Sequence, residues 1–268
     1  RGIIISGNSV FQRVSQYDWN EVLQKPHSLI RHPRMPRGVF HLLWETIQQE
    51  QMIGAYVVNR AKNGSYYWVF ALVLPIEDGY LSIRLKPSSP IFSIVREKYD
   101  QLLETEKIQE LSPQTSNTTL QNEIRQLGFE SYREFMIEAL VQELQGRQSK
   151  MDRSPIQILE KIQSSILIGK KIEDRARTVA ESHYKTSLIP LNLEVQAAKL
   201  GREGATIATI SSQYESLAGD VHGQIREFVE ASKLIRGYLQ ECQLNICNSI
   251  LQKEIGDQFL SETESTPI

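Results

Sequence analysis

From residue 158 onward, apolar or small residues recur alternately every three and every four positions, which is the spacing of a heptad repeat. The first series is Ile158, Ile162, Ser165, Gly169, Ile172, Ala176, Val179, His183, Thr186, Pro190, Leu193, Ala197 and Leu200. The second series is Ile207, Ile210, Tyr214, Leu217, Val221, Gln224, Phe228, Ala231, Ile235, Tyr238 and Cys242. Because a glycine-flanked turn at residues 201–204 separates them, the spacing predicts an antiparallel, coiled-coil helical hairpin.

Each series is expected to face the partner arm of this hairpin. Small and polar members such as Ser165, Gly169 and Gln224 would leave such a seam incompletely filled. We therefore expect a homodimer in which two hairpins form a four-helix bundle.

Residues 1–89 follow a different pattern. Three β-rich runs occupy residues 53–60, 66–76 and 80–85, and Asn63-Gly64 supplies a tight turn between the first two. Before them, Pro36 stands in the first turn of a predicted helix that carries Phe40 and Trp44. Short helices followed by three consecutive antiparallel strands predict an α+β domain with helices on one face of the sheet and a pocket between the two layers.

These patterns divide the chain into four segments. Residues 1–89 form the α+β domain, which we expect to lack its first strand, and residues 90–150 form a helical linker. Within that linker, the Ser/Thr/Asn-rich residues 112–119 are expected to be an irregular connection. Residues 151–255 form the hairpin, with its tip near residues 200–204, and residues 256–268 form a flexible tail.

Composition and motifs exclude several classes of function. A net charge of −2 provides no basic field for nucleic acid, and no apolar run approaches the ~20 residues that a membrane span needs. The two cysteines, Cys242 and Cys247, have no metal-ligand spacing and indicate a reducing, cytoplasmic location without a metal site. No recognisable hydrolase, metalloprotease or P-loop motif is present, so we do not expect an enzyme.

Three separated segments carry a family resemblance: residues 7–17, 26–36 and 59–69, with the sequences GNSVFQRVSQY, PHSLIRHPRMP and NRAKNGSYYWV. They resemble the PAS sensor domain of aerotaxis receptors, in which an RHPDMP segment, a Phe-x3-Trp helix and an NRxKNGxxYWV hairpin follow in this order. The resemblance covers about the first third of the chain. It implies a PAS-type fold for the α+β domain.

The resemblance also implies a cofactor, FAD. The residues at the positions that hold FAD in this family are Asn8, Arg31, His32, Arg34, Phe40, Trp44, Ile53 and Asn59. Two of them depart from the family pattern, because Arg34 replaces an Asp and Ile53 replaces a Trp. Arg34 would reverse a charge near the cofactor or pair with a flavin phosphate, and Ile53 would remove a stacking surface.

The basic group Arg31, Arg34 and Arg37 could clamp phosphates or could belong to a solvated loop. His32 could contact a cofactor or could serve as a hydrogen-bonding group in a turn. No second ligand accompanies His32 at haem spacing, so we do not expect haem.

Residues 186–204, TSLIPLNLEVQAAKLGREG, are similar to the signalling tip of methyl-accepting chemotaxis proteins, which binds the adaptor CheW and the kinase CheA. The resemblance implies a partner-binding surface formed by Asn192, Gln196, Lys199 and Arg202. Where that family has Glu, Arg and Glu, this chain has Gln196, Lys199 and Arg202. Since unlike charge patterns disfavour a shared interface, we expect weak coupling to a standard CheA–CheW pair.

Taken together, these features predict a cytoplasmic, dimeric, PAS-containing signal transducer of the chemotaxis or aerotaxis type, associated with a chemoreceptor array. It would sense redox or oxygen state through a bound cofactor and pass a packing change to the hairpin. Two alternatives stay open: a non-sensory dimerisation or adaptor protein, and a PAS receptor for a non-redox small molecule.

Overall fold

The computed structural model describes residues 2–150, 156–186 and 188–264, and it describes their side chains except at residues 183–186, 188, 263 and 264. The predicted hairpin boundary at residue 151 and the seam positions His183 and Thr186 therefore lie outside the described residues or side chains. The chain forms two units. The first unit contains the residues up to Ile156 together with those from Gln243 onward, and the second unit contains Gln157–Cys242.

The first unit contains one antiparallel sheet in the order β1-β2-β3, with strands β1 (Ile53–Arg60), β2 (Tyr66–Ile76) and β3 (Gly79–Leu85). The turn between β1 and β2 places Gly64 at φ 87°, a conformation that glycine adopts without steric cost. The Asn63 side chain accepts a hydrogen bond from the Ser65 backbone N–H at 2.9 Å and closes this turn. The predicted strands and their Asn-Gly turn are confirmed.

Successive side chains of these strands alternate between the two faces of the sheet. The face that carries Asn59 and Arg84 meets the elements that precede the sheet, namely α1 (Ser9–Ser15), α2 (Trp19–Val22), a 3-10 helix (His27–Ile30) and α3 (Arg37–Gln48). This arrangement is the predicted α+β class, with an antiparallel sheet and helices packed against it.

The opposite face, which carries Tyr56 and Trp68, is also covered by helices. Three further helices follow the sheet: α4 (Pro90–Ile108), α5 (Pro113–Gln126) and α6 (Tyr132–Lys150). The Phe92 ring of α4 lies 5.4 Å from the Tyr56 ring and 5.3 Å from the Trp68 ring. Helices α4 and α6 of the expected linker therefore form a second helical layer on the sheet, whereas α5 packs against α3. Helices cover both faces of the sheet, and not one face as predicted.

Residues 112–119 are not an irregular connection, and that prediction is wrong. The Ser112 hydroxyl oxygen accepts a hydrogen bond from the Thr115 backbone N–H at 3.1 Å, and Pro113 occupies the first turn of α5. A Ser-Pro pair is a helix start as well as a loop signal, because serine caps a helix and proline presets its first turn. In the folded protein, the apolar contacts of α5 make this Ser-Pro pair a helix start and not a loop.

Helix α6 approaches β1 closely at Gly54. The Tyr132 hydroxyl donates to the Gly54 carbonyl at 3.0 Å. A Cβ at Gly54 would lie 2.7 Å from the Phe70 ring and 3.0 Å from Met136 Cγ, so no larger residue fits there without displacement. Glycine at this position allows the helix to pack on the strand.

A buried carboxylate from the same helix holds the junction between β3 and α4. Glu143 is 1% exposed, and its oxygens accept hydrogen bonds from the Tyr56 hydroxyl at 2.7 Å and the Ser89 hydroxyl at 2.6 Å. The Ser88 backbone N–H donates to the same carboxylate at 2.5 Å. Because several donors share this negative charge, the carboxylate can be buried without an ion-pair partner.

The last helix, α9 (Ala205–Glu264), contributes residues to both units. In the first unit, Leu244, Cys247 and Leu251 are fully buried at helical spacing. Glu254 forms an ion pair with Arg147 of α6. Residues 256–264, which we expected in a flexible tail, continue this helix.

The second unit is a helical hairpin, as the heptad pattern predicts, built from α7 (Gln157–Thr186), α8 (Leu188–Lys199), a 3-10 turn (Gly201–Gly204) and the first part of α9. A Cβ at Gly204 would lie 2.0 Å from the Ala197 carbonyl oxygen, so the tip requires glycine there. The predicted tip near residues 200–204 coincides with this turn.

The seam assignment within the hairpin is wrong for most large apolar residues of both series. The exposed members of the first series include Ile158, Ile172, Val179, Leu193 and Leu200. The exposed large apolar members of the second series are Ile207, Ile210, Tyr214, Leu217, Phe228, Ile235 and Tyr238. The buried positions are instead small or polar, such as Ser211, Ala218 and Arg236. Two heptad faces coexist on α9, and the close approach of the arms selects the face with small side chains.

Glu173 of α7 and Arg236 of α9 form a buried ion pair between the arms. The Arg236 Nε and Nη2 atoms donate to the two Glu173 carboxylate oxygens at 3.1 and 3.2 Å. This two-point contact fixes the register of the arms. Over the described ranges of the chain, no helix is sufficiently long and apolar to span a membrane.

Candidate functional site

A cavity of about 750 Å³ lies beside α3 in the first unit. Its lining residues are Arg31, Arg37, Phe40, His41, Trp44, Glu45, Gln48, Gln49 and Pro113. Most of them share one face of α3, while Val39, Leu43 and Ile47 on another face are buried in the core. The volume falls within the range of about 300–1,000 Å³ that is typical of small-molecule sites.

The chemistry of this lining changes along α3. Arg31 and Arg37 make one end cationic, Phe40 and Trp44 make the middle aromatic, and glutamine and glutamate side chains line the other end. At 1.5 Å per residue, the twelve steps from Arg37 to Gln49 span roughly 18 Å. The cavity therefore suits an elongated ligand with an anionic end and a flat aromatic part.

The Arg31 guanidinium lies over the Phe40 ring, 4.0 Å from its centroid. The Arg31 backbone forms an antiparallel bridge with Asn59 of β1. Burial lowers the pKa of Arg31, while Glu106 raises it and Arg37 lowers it. The two arginines are thus near enough to repel each other across one wall of the cavity.

The N-terminus of α3 is closed by a buried side chain from α4. The Glu106 carboxylate accepts a hydrogen bond from the Arg37 backbone N–H at 2.7 Å and contacts the Ser116 hydroxyl. Gly38 permits this approach, since a Cβ there would lie 2.5 Å from the Ser116 side-chain oxygen. The N-terminus of α3 is therefore already capped by the Glu106 carboxylate. An anion in the cavity would be bound by the arginine side chains instead.

Three of the eight residues predicted to hold a cofactor line this cavity: Arg31, Phe40 and Trp44. A fourth, Asn59, lies on β1 next to Arg31 and is 1% exposed. Neither polar atom of its side-chain amide has a hydrogen-bond partner among the described residues. A buried amide without partners is costly and is a further sign of an incomplete polar site.

The other four predicted residues lie elsewhere. Asn8 caps α1, since its side-chain oxygen accepts from the Phe11 N–H at 3.0 Å. Ile53 begins β1 and is buried in the core. Arg34 pairs with Asp100 at 2.6 Å on the surface, which gives its guanidinium a partner outside the cavity.

His32 has a local structural role. Its Nδ1 atom accepts a hydrogen bond from the Arg34 N–H at 3.1 Å, and its ring lies 5.6 Å from the ring of Tyr66. Burial lowers the pKa of His32, and the charges of Arg34 and Arg60 lower it further. Within the described residues, no cluster of three or more His, Cys, Asp or Glu side chains could hold a metal ion.

The four predicted partner-binding residues are all exposed at the tip of the hairpin. Asn192, Gln196 and Lys199 lie on one face of α8 because they are spaced by four and three residues, and Arg202 lies in the adjoining 3-10 turn. The structure thus places them on an accessible surface.

Sequence reasoning missed Glu106 and the glutamines at the far end of the cavity. Glu106 lies 69 positions from Arg37 in the sequence, and its function as a helix cap depends on how α4 packs. The glutamines Gln48 and Gln49 follow Trp44 by four and five residues, so helical spacing could have suggested at least Gln48.

Known proteins resemble the N-terminal part of the first unit. Residues 4–81 match the family described as PAS fold. A segment of 104 residues is 35% identical to the aerotaxis receptor of Escherichia coli strain K12, and it covers 37% of this chain and 21% of the receptor. Residues 4–81 therefore match a PAS domain, and the chain is related in sequence to an aerotaxis receptor, as the motifs predicted.

Solved structures were also compared. A fungal LOV domain photoreceptor is 18% identical, with 31% of this chain and 65% of that chain covered and a TM-score of 0.28. A PAS domain from Colwellia psychrerythraea is 21% identical, with 32% and 77% covered and a TM-score of 0.27. This chain spans about a fifth of the length of the curated receptor that it matches.

Proposed function

We propose that this protein is a non-catalytic sensor whose PAS domain binds a flavin-type cofactor, FAD in the first instance, and whose hairpin transmits the signal. The observation that carries the proposal is the cavity beside α3, in which two arginines and two aromatic rings share one wall of a PAS domain. The relation to an aerotaxis receptor supports a redox or oxygen signal.

The side chains at the cavity fit such a cofactor. Phe40 and Trp44 would stack on a flat ring system, and Arg31 and Arg37 would bind its phosphates. The unpaired amide of Asn59 offers a donor and an acceptor beside Arg31. When bound, a flavin supplies reversible reduction, and its charge and hydrogen bonding change with its redox state.

The chain's own contacts suggest how a change at the cavity would spread within the first unit. Arg31 joins the Phe40 ring to the backbone of Asn59 on β1. From the same strand, the Tyr56 hydroxyl donates to Glu143 of α6 at 2.7 Å. A shift of Arg31 would therefore alter a strand that also holds α6, which could bias the unit between two arrangements.

The hairpin is the proposed output. Its exposed apolar side chains, among them Leu217, Phe228 and Tyr238, would be covered by a second copy in a four-helix bundle. The tip residues Asn192, Gln196, Lys199 and Arg202 would contact a chemotaxis adaptor or kinase of the CheW or CheA type, at a cytoplasmic chemoreceptor array. Since Arg202 replaces an acidic family residue, we propose that a matched adaptor, rather than a standard one, is the partner.

An absorbance spectrum of the purified protein tests the cofactor proposal. Flavin bands in the visible region, lost in Trp44→Ala and kept in Trp19→Ala, would support it. Trp19 is a matched control because it packs on Phe11, 6.2 Å away, and does not line the cavity. Flavin content that is unchanged in a folded Trp44→Ala protein would contradict the placement.

Both alternatives would give a colourless protein, and thermal unfolding with added small molecules separates them. A colourless protein that a small molecule stabilises against heat would be a non-redox receptor. A colourless protein that no ligand stabilises would be a dimerisation or adaptor module.

A pull-down with CheW tests the output proposal. We expect weak capture by the unaltered protein and stronger capture by the Gln196→Glu, Arg202→Glu variant, because two negative charges return to the tip. Strong capture by the unaltered protein would show that the changed charges do not matter.

A further inference from the structure

The last helix, α9, carries a stripe of side chains beyond the hairpin, where the helix belongs to the first unit. Buried or partly buried side chains recur on this part every three or four residues, as expected for one face of a helix. They are Leu244, Cys247, Leu251, Glu254, Gln258 and Glu262. At 1.5 Å per residue, this stripe extends roughly 27 Å along the helix, and we call it the docking face.

The chemistry of the docking face changes along the helix. Leu244 and Cys247 are 0% exposed and Leu251 is 1% exposed, so apolar burial holds the end nearer the hairpin. One turn further on, Glu254 forms an ion pair with Arg147 of α6. A partly exposed ion pair of this kind holds less firmly than the apolar contacts before it.

The far end of the docking face meets α1, within the residues that match the PAS fold. The Glu262 carboxylate accepts hydrogen bonds from the Ser9 backbone N–H at 3.2 Å and from the Ser9 hydroxyl at 2.7 Å. The hydrogen bond from the Ser9 hydroxyl is the main cause of the lowered pKa of Glu262. Because Asn8 caps the same helix, this contact joins α9 to the first turn of α1.

One helix connects this contact to the hairpin. Helix α9 extends from Ala205 to Glu264 without a break, and it carries Arg236, which pairs with Glu173 inside the hairpin. Rigid helices transmit a shift or a rotation along their length. The rotational setting of α9 also decides which of its two heptad faces lies in the hairpin seam.

We propose that the docking face is a conformational device: residues 244–262 dock on the first unit as one cooperative segment, and the contact of Ser9 with Glu262 shifts the balance between its docked and undocked states. Because the residues of one helix dock or leave together, loss of an end contact raises the undocked fraction along the whole segment. The hairpin part of α9, residues 205–242, then loses its fixed setting.

This inference deepens the proposed function and rests on it in one respect, the role of the hairpin as output. It names α9 as the route by which α1 and α6 act on that output. The contacts that carry it belong to the chain itself, so it does not depend on which ligand the cavity holds.

The two cysteines of α9 report whether the segment is docked. Cys247 lies on the docking face and is buried, whereas Cys242 is exposed. Burial raises the pKa of the Cys247 thiol to about 12, so this thiol reacts with iodoacetamide at pH 8 only when the segment undocks. Alkylation of the full chain, followed by mass spectrometry, gives the rate at Cys247, with the rate at Cys242 as an internal reference.

The first test compares these rates in variants of the end contact. Glu262→Ala should raise the alkylation rate of Cys247 about two- to fivefold and leave the rate at Cys242 unchanged. Ser9→Ala should act in the same direction. In the Glu262→Ala background, Ser9→Ala should have no further effect, because the partner of the Ser9 hydroxyl is gone.

Glu21→Ala is the matched control. The Glu21 carboxylate also accepts from a backbone N–H, that of Asp18 at 3.0 Å, and from a side chain, that of Lys62 at 2.6 Å, but it lies on α2. This variant should keep the wild-type rate at Cys247. An unchanged rate in Glu262→Ala, an equal increase in Glu21→Ala, or additive effects of the two variants at the contact would each overturn the docking device.

The second test asks whether the hairpin responds. Hydrogen exchange of the backbone amides in residues 205–242, measured by mass spectrometry, should be faster in Glu262→Ala than in the wild type and unchanged in Glu21→Ala. Faster alkylation of Cys247 with no change in residues 205–242 would overturn the route to the hairpin.

Both tests use the full chain without added ligand. A colourless protein with the expected rates would keep this inference and lose the flavin proposal. A flavin-bearing protein with unchanged rates in Glu262→Ala would have the opposite consequence.

Discussion

The two units of the chain differ in which side chains they bury. The first unit fully buries many large residues, such as Tyr56, Phe70 and Leu140. The second unit, apart from Leu159 and Ile162, buries mainly small or polar residues such as Ser211 and Ala218 and the ion pair of Glu173 with Arg236. The second unit leaves Leu217 61% exposed and Tyr238 71% exposed. The difference teaches that the first unit completes a core within one chain, while the hairpin carries apolar surface that the described part of the chain leaves exposed.

The largest effect is expected at the ion pair that joins the arms of the hairpin. Glu173→Leu should cost about 3–5 kcal/mol of unfolding free energy, because it leaves the buried Arg236 guanidinium without its carboxylate. This loss of unfolding free energy is measured by urea unfolding, followed by the circular dichroism signal of the helices. The double variant with Arg236→Leu should recover most of the loss, and an equally unstable double variant would show that the pair is not what limits hairpin stability.

Truncation of a leucine to alanine should change the unfolding free energy much more in the first unit than in the hairpin. Leu140→Ala, at a fully buried position of the first unit, should cost about 2–5 kcal/mol because it opens a cavity in the core. Leu217→Ala in the hairpin should leave the unfolding of dilute protein within about 0.5 kcal/mol of wild type.

The Leu217→Ala variant should instead weaken self-association, which sedimentation at micromolar concentration measures. Equal unfolding costs for the two substitutions would remove the contrast between the units. A wild-type protein that stays monomeric with its hairpin intact would contradict the proposed bundle.

The pH dependence of stability should come from the first unit, through His27. Its pKa is lowered from 6.5 to about 3 in the folded protein, so between those values the unfolded chain binds more protons than the folded one. Stability should therefore fall as the pH is lowered from about 7 to about 4, by roughly 3 kcal/mol at 1.36 kcal/mol per unit of pKa. Denaturant titrations at several pH values measure this, and His27→Gln should flatten the profile. A profile unchanged in that variant would assign the dependence to other groups.

The smallest effects should have opposite signs in the two units. Gly64→Ala should destabilise the protein by about 1–2 kcal/mol, since Gly64 has φ 87° in the turn between β1 and β2. Gly169→Ala should stabilise it by up to about 1 kcal/mol, since Gly169 lies inside α7 with nothing within 4 Å of the added Cβ. Thermal unfolding of the two variants measures both changes in stability. If the melting midpoints of the two variants shift in the same direction, local backbone conformation does not control stability at these positions.

The sheet and its turn could be predicted because their signals are local. An Asn-Gly pair between two β-rich runs specifies a hairpin whatever packs on it. The same local reasoning failed at residues 112–119, since a Ser-Pro pair is compatible with a loop and with a helix start. Only the packing of α5 against α3 distinguishes these cases.

The candidate site shows the same limit. Helical spacing and the family motif placed Phe40 and Trp44 together, and both line the cavity. The motif could not show that Arg34 pairs with Asp100, because these residues are 66 positions apart and meet through the packing of α4. The helical pattern of α9 includes Glu262, yet the pattern does not tell which element that residue meets.

The sequence by itself determined the local elements: the strands, the Asn-Gly turn, the hairpin with its glycine-flanked tip, and the PAS motifs in their order. Tertiary structure decided which of two heptad faces on α9 is buried, where α4–α6 pack, and that Glu262 near the end of α9 meets Ser9. The physical reason is that backbone preference and periodicity act over a few residues. Burial, close approach and charge pairing depend on residues far apart in the sequence, and only the folded chain brings these together.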